Sequence, residues 1–126
     1  MKISDLAHRS GLTAHTIRYY ERIGLMPRAD RDGSGHRDYG PETLIWVTFI
    51  GHMKAAGMPI SEMLRYARLR QQGAGTSDQR ADILRKRRAL VAQRITSLQA
   101  TLDVLDGKIA GYDMERTSND NDRNTA

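Results

Sequence analysis

The sequence predicts a mainly α protein in two parts: a small head of short helices, and a long amphipathic helix built to pair with another helix. Three observations carry this. Helix caps and glycine stops punctuate residues 1–72 at short intervals. The only Trp and the only Phe sit together in "ETLIWVTFIGHMKAAG", the most apolar stretch of the chain. Beyond the "QQGAGTSD" segment, the apolar residues fall into a heptad register.

Taken in order, Ser4 is placed to cap a first helix in "SDLAHRSG", which Gly11 stops. Thr13 caps a second, with Ala14 and Ile17 on its apolar side and Gly24 as its end before Leu25 and Pro27. "RADRDGSGHRDY" is polar, and Gly33 and Gly35 bracket Ser34, which suits a hairpin with short strands at its ends. Pro41 opens the Trp- and Phe-bearing helix, expected to supply most of the core. Gly57 stops it, and Pro59 opens another helix with Ile60, Met63, Leu64 and Ala67 on one side.

The domain reading that results is a head over 1–72, a hinge over 73–77, a pairing helix over 78–114 and a disordered tail over 115–126. In the pairing helix Ala81, Arg88, Ile95, Leu102 and Ile109 fill one seam position, and Leu84, Val91, Leu98, Leu105 and Tyr112 the other. Only Arg88 interrupts the seam. An apolar stripe of this length wants a partner helix, and the simplest is the same helix of a second copy. An intramolecular hairpin would need a second long helix that the chain lacks.

Composition narrows the function classes. The 126 residues allow one modest domain, or a small one with a helical extension. Twenty Lys and Arg against 15 Asp and Glu leave a formal charge of +5 and a pI of about 9.9, which favours polyanionic partners without requiring them. The absence of cysteine excludes disulfides, thiolate metal sites and a thiol sensor. No apolar run approaches the roughly 18 residues that a membrane span needs, and no charged-then-apolar leader opens the chain. The expectation is a cytoplasmic protein without membrane contact.

On a helical wheel His15, Arg18, Tyr19 and Arg22 share one narrow stripe, while Ala14, Ile17, Tyr20 and Glu21 point broadly the other way. Tyr19 therefore lies on an exposed basic ridge, and Tyr20 is expected to bury its ring against Ile17 and Leu6. Two short helices at a glycine turn, the second with a basic outer ridge, make the helix-turn-helix shape whose second helix enters the DNA major groove. Any two short packed helices could show this spacing, so a solvated charged face remains the plain alternative.

Three longer words go further. "ISDLAHRSGLTAHTIRYYERIGLMP", "GHRDYGPETL" and "KAAGMPISEM" resemble, in order and spacing, the opening helix-turn-helix, the first wing and the second wing of the MerR family of bacterial transcription regulators. The resemblance implies a winged helix-turn-helix DNA-binding domain followed by a long antiparallel coiled-coil dimerisation helix. It also implies a homodimer on double-stranded promoter DNA, distorting an overlong spacer and so acting on RNA polymerase indirectly. Carried onto this chain, Thr13, His15 and Thr16 open the recognition helix, with Arg18, Tyr19, Tyr20 and Arg22 in the same motif. His36, Arg37 and Tyr39 belong to the first wing, His36 standing where the family commonly has Tyr, and Arg28 and Arg31 are placed to add backbone contacts. Lys54, Pro59 and Ile60 belong to the second.

The resemblance also bears on the signal. Metal-sensing members hold their ion with cysteines, and none is present. Nor does His8, His15, His36 or His52 form a ligand pair at i, i+4. The short aldehyde- and electrophile-responsive branch is the most similar, and His52 stands where its third-helix cysteine is typical. His52 is then an ordinary helix residue partly buried near the domain interface, or a pH-responsive effector group. Glu21, Glu42 and Glu62 read as solvated helix charges and caps without a nucleophile beside them, so no enzyme and no cofactor are expected. An architectural DNA-bending protein and a protein-interaction adaptor are the rival classes.

Overall fold

A computed structural model describes residues 1–125 of the chain, with side chains through residue 120. It contains α1 (Ile3–Ser10), α2 (Ala14–Ile23), the strands β1 (Asp30–Arg31) and β2 (Arg37–Asp38), α3 (Pro41–Ala55), α4 (Ile60–Gln72) and α5 (Ser77–Thr125). A single 3₁₀ turn at Ala74–Thr76 separates the last two helices. The chain divides into two compact units, Met1–Arg87 and Arg88–Ala126.

The helix boundaries follow from local chemistry. Gly11 takes φ +76°, a left-handed conformation that side-chain-bearing residues resist, and its amide donates to Ala7 to close α1. Thr13 is extended, and its hydroxyl oxygen accepts from the Thr16 amide at 3.1 Å, capping α2. Ser4 does not cap α1. That role falls to Lys2, whose carbonyl accepts from Leu6, because starting the helix at Ile3 lets Ile3 pack on the core.

In the first unit the core gathers Leu6 from α1, Ile17 and Tyr20 from α2, Leu25 and Met26 from the following turn, and Trp46, Val47, Ile50 and Met53 from α3. Burying a Leu, Ile or Met side chain contributes about 1.5–3 kcal/mol, so these residues dominate the stability of the unit. Trp46 stacks on Tyr66 of α4 with centroids 6.0 Å apart, and Arg70 covers the same indole at 4.3 Å. The indole N–H donates to the Leu25 carbonyl, tying the turn after α2 to α3. β1 and β2 pair antiparallel, Asp30 opposite Asp38 and Arg31 opposite Arg37.

Two boundaries differ from the sequence reading. The first unit runs through Arg87, so the start of α5 belongs to the head rather than to the pairing helix. Ile83 is buried, Leu84 packs against the core, and Arg87 pairs with Glu62 of α4 at 2.9 Å. The Thr76 hydroxyl, donating to the Leu69 carbonyl and accepting from Arg80, joins the end of α4 to this start. Leu84, counted as a dimerisation residue, is thus a head residue. The tail expected over 115–126 is helical as far as Thr125, and residue 126 lies outside the described residues. No glycine or proline follows Gly111, and Asp113 holds both Arg116 and the Thr117 hydroxyl one turn on, so nothing local stops the helix.

In the second unit the apolar side chains face outward. Ile95, Leu98, Leu102, Leu105, Ile109 and Tyr112 are each at least half exposed, and Leu98 and Leu102 border an apolar groove with Ile95 and Leu105. Val91 is half-buried and Arg88 is exposed. Leu90 and Val104 are also exposed, but they lie two residues past a seam position and so on the far side of the helix from the stripe.

Candidate nucleic-acid interface

The turn between α1 and α2 presents the outer face of α2. His15, Arg18, Tyr19 and Arg22 are all exposed on it, as the wheel requires, while Ile17 and Tyr20 point into the core. Tyr19 is 39% exposed, and the Arg22 guanidinium lies 5.5 Å from its ring centroid. The aromatic ring thereby steadies a long cation that would otherwise lose rotamer freedom on meeting a phosphate. Thr13 and Thr16 are engaged with each other at the helix start, hydroxyl to hydroxyl at 3.0 Å. Tyr20, placed with the DNA-contacting residues by motif, is only 4% exposed and serves the core instead.

The wing is shaped by Asp32. Its carboxylate accepts from the Ser34 hydroxyl and amide and from the His36 amide, all within 3.0 Å. These bonds, the Ser34 hydroxyl first, hold the Asp32 carboxyl at about 2. Gly35, at φ +81°, makes the left-handed step of the turn. His36 is exposed at the tip, its ring nitrogen 3.3 Å from the Ser34 hydroxyl.

Behind the wing lies a group that sequence reasoning missed. Glu21, expected to be a solvated helix charge, is 6% exposed. One carboxylate oxygen accepts from the Tyr39 hydroxyl at 2.7 Å and lies 3.7 Å from the Arg37 guanidinium, and the other accepts from the Ala29 amide at 3.2 Å. Tyr39 is correspondingly not a surface contact. It is buried, and burial, followed by its bond to Glu21, pushes the phenol up to about 12. The wheel placed Glu21 on the inner side of α2, a signal that the habit of leaving carboxylates in water overrode.

Arg18, Arg22, Arg28 and Arg37 line a cleft of about 290 Å³ around Glu21. A second of similar volume is lined by Lys2, Arg18, Arg31, His36 and Arg37. Helix α2 and the wing therefore share one strongly basic surface of guanidinium forks, a donor geometry that matches phosphate oxygens and base edges in general. In the second-wing word, Lys54 and Pro59 are exposed and Ile60 is 41% exposed, at the opening of α4. His52 is exposed on α3, not partly buried, because that helix turns Val47, Ile50 and Met53 inward. Among the described residues no three His, Asp or Glu side chains converge as a metal site, and no helix is long and apolar enough to cross a membrane.

Two short helices at a glycine turn, a small wing and a basic outer face define a winged helix-turn-helix protein of the DNA-binding class. The family model for the MerR family regulatory protein matches residues 2–39, and that for MerR, DNA binding, matches residues 44–108. The chain belongs to the MerR family of transcriptional regulators. It is 44% identical over 84 residues to the HTH-type transcriptional regulator AdhR of Bacillus subtilis, a match covering 67% of this chain and 60% of AdhR. Among solved structures, a MerR family transcriptional regulator from Listeria monocytogenes is 42% identical with a TM-score of 0.83, covering 90% of this chain and 86% of that one. HiNmlR, a MerR family regulator lacking the sensor domain and bound to promoter DNA, is 28% identical with a TM-score of 0.81, covering 89% of this chain and 85% of that one.

Proposed function

We propose that this chain acts in the cytoplasm as a homodimeric regulator that reads double-stranded promoter DNA and distorts it, affecting RNA polymerase through the DNA. The carrying observation is the ridge of His15, Arg18, Tyr19 and Arg22 beside the wing arginines, one continuous basic surface on a helix-turn-helix head. In this reading the ridge enters the major groove, where Arg18 and Arg22 meet base edges or phosphates and Tyr19 adds a hydroxyl. Arg28, His36 and Arg37 follow the neighbouring backbone, and Lys54 with the opening of α4 at Pro59 and Ile60 meets a further phosphate.

The stripe of Val91, Ile95, Leu98, Leu102, Leu105, Ile109 and Tyr112 supports the dimer, since an exposed face of this extent is stable in water only when covered. Antiparallel pairing would give two heads related by a two-fold axis, fit for a site with matching symmetry.

Fluorescence titration against DNA from just upstream of the coding region and against a scrambled duplex, at low and moderate salt, tests this. The expected result is tight, sequence-dependent binding with two chains per site. Affinity should fall steeply with salt, log K dropping by roughly 0.9 per phosphate contact for each unit of log salt. Equal, weak binding to both duplexes would move the function to an architectural or adaptor role.

A further inference from the structure

Resting on the DNA-binding reading, we infer that Glu21 is a positioning residue: its buried carboxylate fastens the wing to the recognition helix and so holds Arg37 where it meets the DNA backbone. The placement argues for it. The wing has only two residues in each strand, and a hairpin of that size is marginal alone. It must be held from outside. Glu21 binds three groups from both sides of the wing at once: the Ala29 amide just before β1, and the Arg37 guanidinium and Tyr39 hydroxyl in and just after β2.

Charge argues the same way. A carboxylate amid Arg18, Arg22, Arg28 and Arg37 subtracts from the positive potential that a phosphate chain would meet. Were it a bystander, losing its charge would strengthen DNA binding. A positioning role reverses the sign: Met1 still holds the wing backbone through Asp38 and Tyr39, but the Arg37 guanidinium loses the carboxylate that aims it and the Tyr39 hydroxyl loses its acceptor. Burial sharpens the contrast, since a carboxylate this enclosed is tolerated only with its partners in place.

The test compares wild-type protein with Glu21→Gln, Tyr39→Phe, Arg37→Ala and the double variant Glu21→Gln, Arg37→Ala, each titrated with the upstream and scrambled duplexes across a salt series. Circular dichroism and thermal melting are followed in parallel. The expected result is a loss on the order of tenfold for Glu21→Gln at temperatures where it remains folded, with a shallower salt slope. Tyr39→Phe, which removes one hydroxyl and little volume, should lose affinity in the same direction. In the Arg37→Ala background Glu21→Gln should cost little more, since both act through one contact.

Equal or tighter binding by folded Glu21→Gln and Tyr39→Phe overturns the inference while leaving DNA binding intact. So does an undiminished loss in the Arg37→Ala background, which would mean that Glu21 acts through overall stability. Wild-type protein that binds neither duplex even at low salt overturns the DNA reading, and the inference with it.

Discussion

The two units of the chain solve opposite problems with the same kind of side chain. In Met1–Arg87 the large apolar residues are covered: Leu6, Ile17 and Ile50 are wholly buried and Trp46 nearly so. In the remainder, Leu98, Leu102 and Ile109 stand half or more exposed on one helix. The head completes its core from its own sequence, whereas the arm carries a hydrophobic stripe that its own unit leaves open. Local patterning alone does not separate these cases. What separates them is whether other elements of the unit are there to close over the stripe, and for the arm none is.

The contrast breaks most severely if the arm is given charge. Leu98→Glu with Leu102→Glu places carboxylates at the centre of the stripe, twice per dimer. Each buried Leu contributes about 1.5–3 kcal/mol, and every 1.4 kcal/mol is about tenfold in an equilibrium. The doubly substituted protein should sediment as a monomer and lose operator affinity by about 100-fold or more, with the Trp46 fluorescence of the head unchanged. A persisting dimer would show that the stripe is not the interface.

The reciprocal change lies in the head. Ile17 is wholly buried, and Ile17→Ala leaves a cavity that costs about 2–5 kcal/mol. Denaturant unfolding followed at Trp46, the only Trp and a head residue, should show the unfolding free energy falling by that amount and the midpoint moving to lower denaturant, while sedimentation still reports a dimer. Loss of the dimer together with head stability would mean that the units are not energetically separate.

The sequence made much of this legible where the signal is local. Thr13, Gly11 and Gly24 mark α2 because capping and left-handed stops are decided within a few residues, and the Arg18, Tyr19, Arg22 ridge follows from helical geometry alone. Glu21 escaped for the opposite reason. Its partners Tyr39 and Ala29 lie 18 and 8 residues further on, and no local rule predicts that a carboxylate will find them. Tyr39, assigned to DNA by motif, is the same oversight seen from the other side. Leu84 fits the heptad yet packs on the head, because a period says which face of a helix is apolar and not what covers it. The end of α5 shows that a polar composition by itself does not stop a helix.

The smallest effect sharpens the comparison within the head, between its core and its wing, which is held by polar contacts. Asp32, held at about 2 against an ordinary 3.8, owes this first to the Ser34 hydroxyl and then to the His36 and Ser34 amides. Since the folded value is the lower one, the carboxylate's contribution to the wing is whole above about 4 and is lost as pH falls toward about 2. The amide resonances of Ser34 and His36 should therefore hold their positions down to about pH 4 and move together below it, ahead of any change at Trp46. Asp32→Ala should produce the same displacement at neutral pH and weaken DNA binding only a few-fold, because it loosens the wing tip while leaving the Glu21 attachment in place. Movement of those resonances already well above pH 4 would instead mean that the wing tip is not organised by the Asp32 carboxylate.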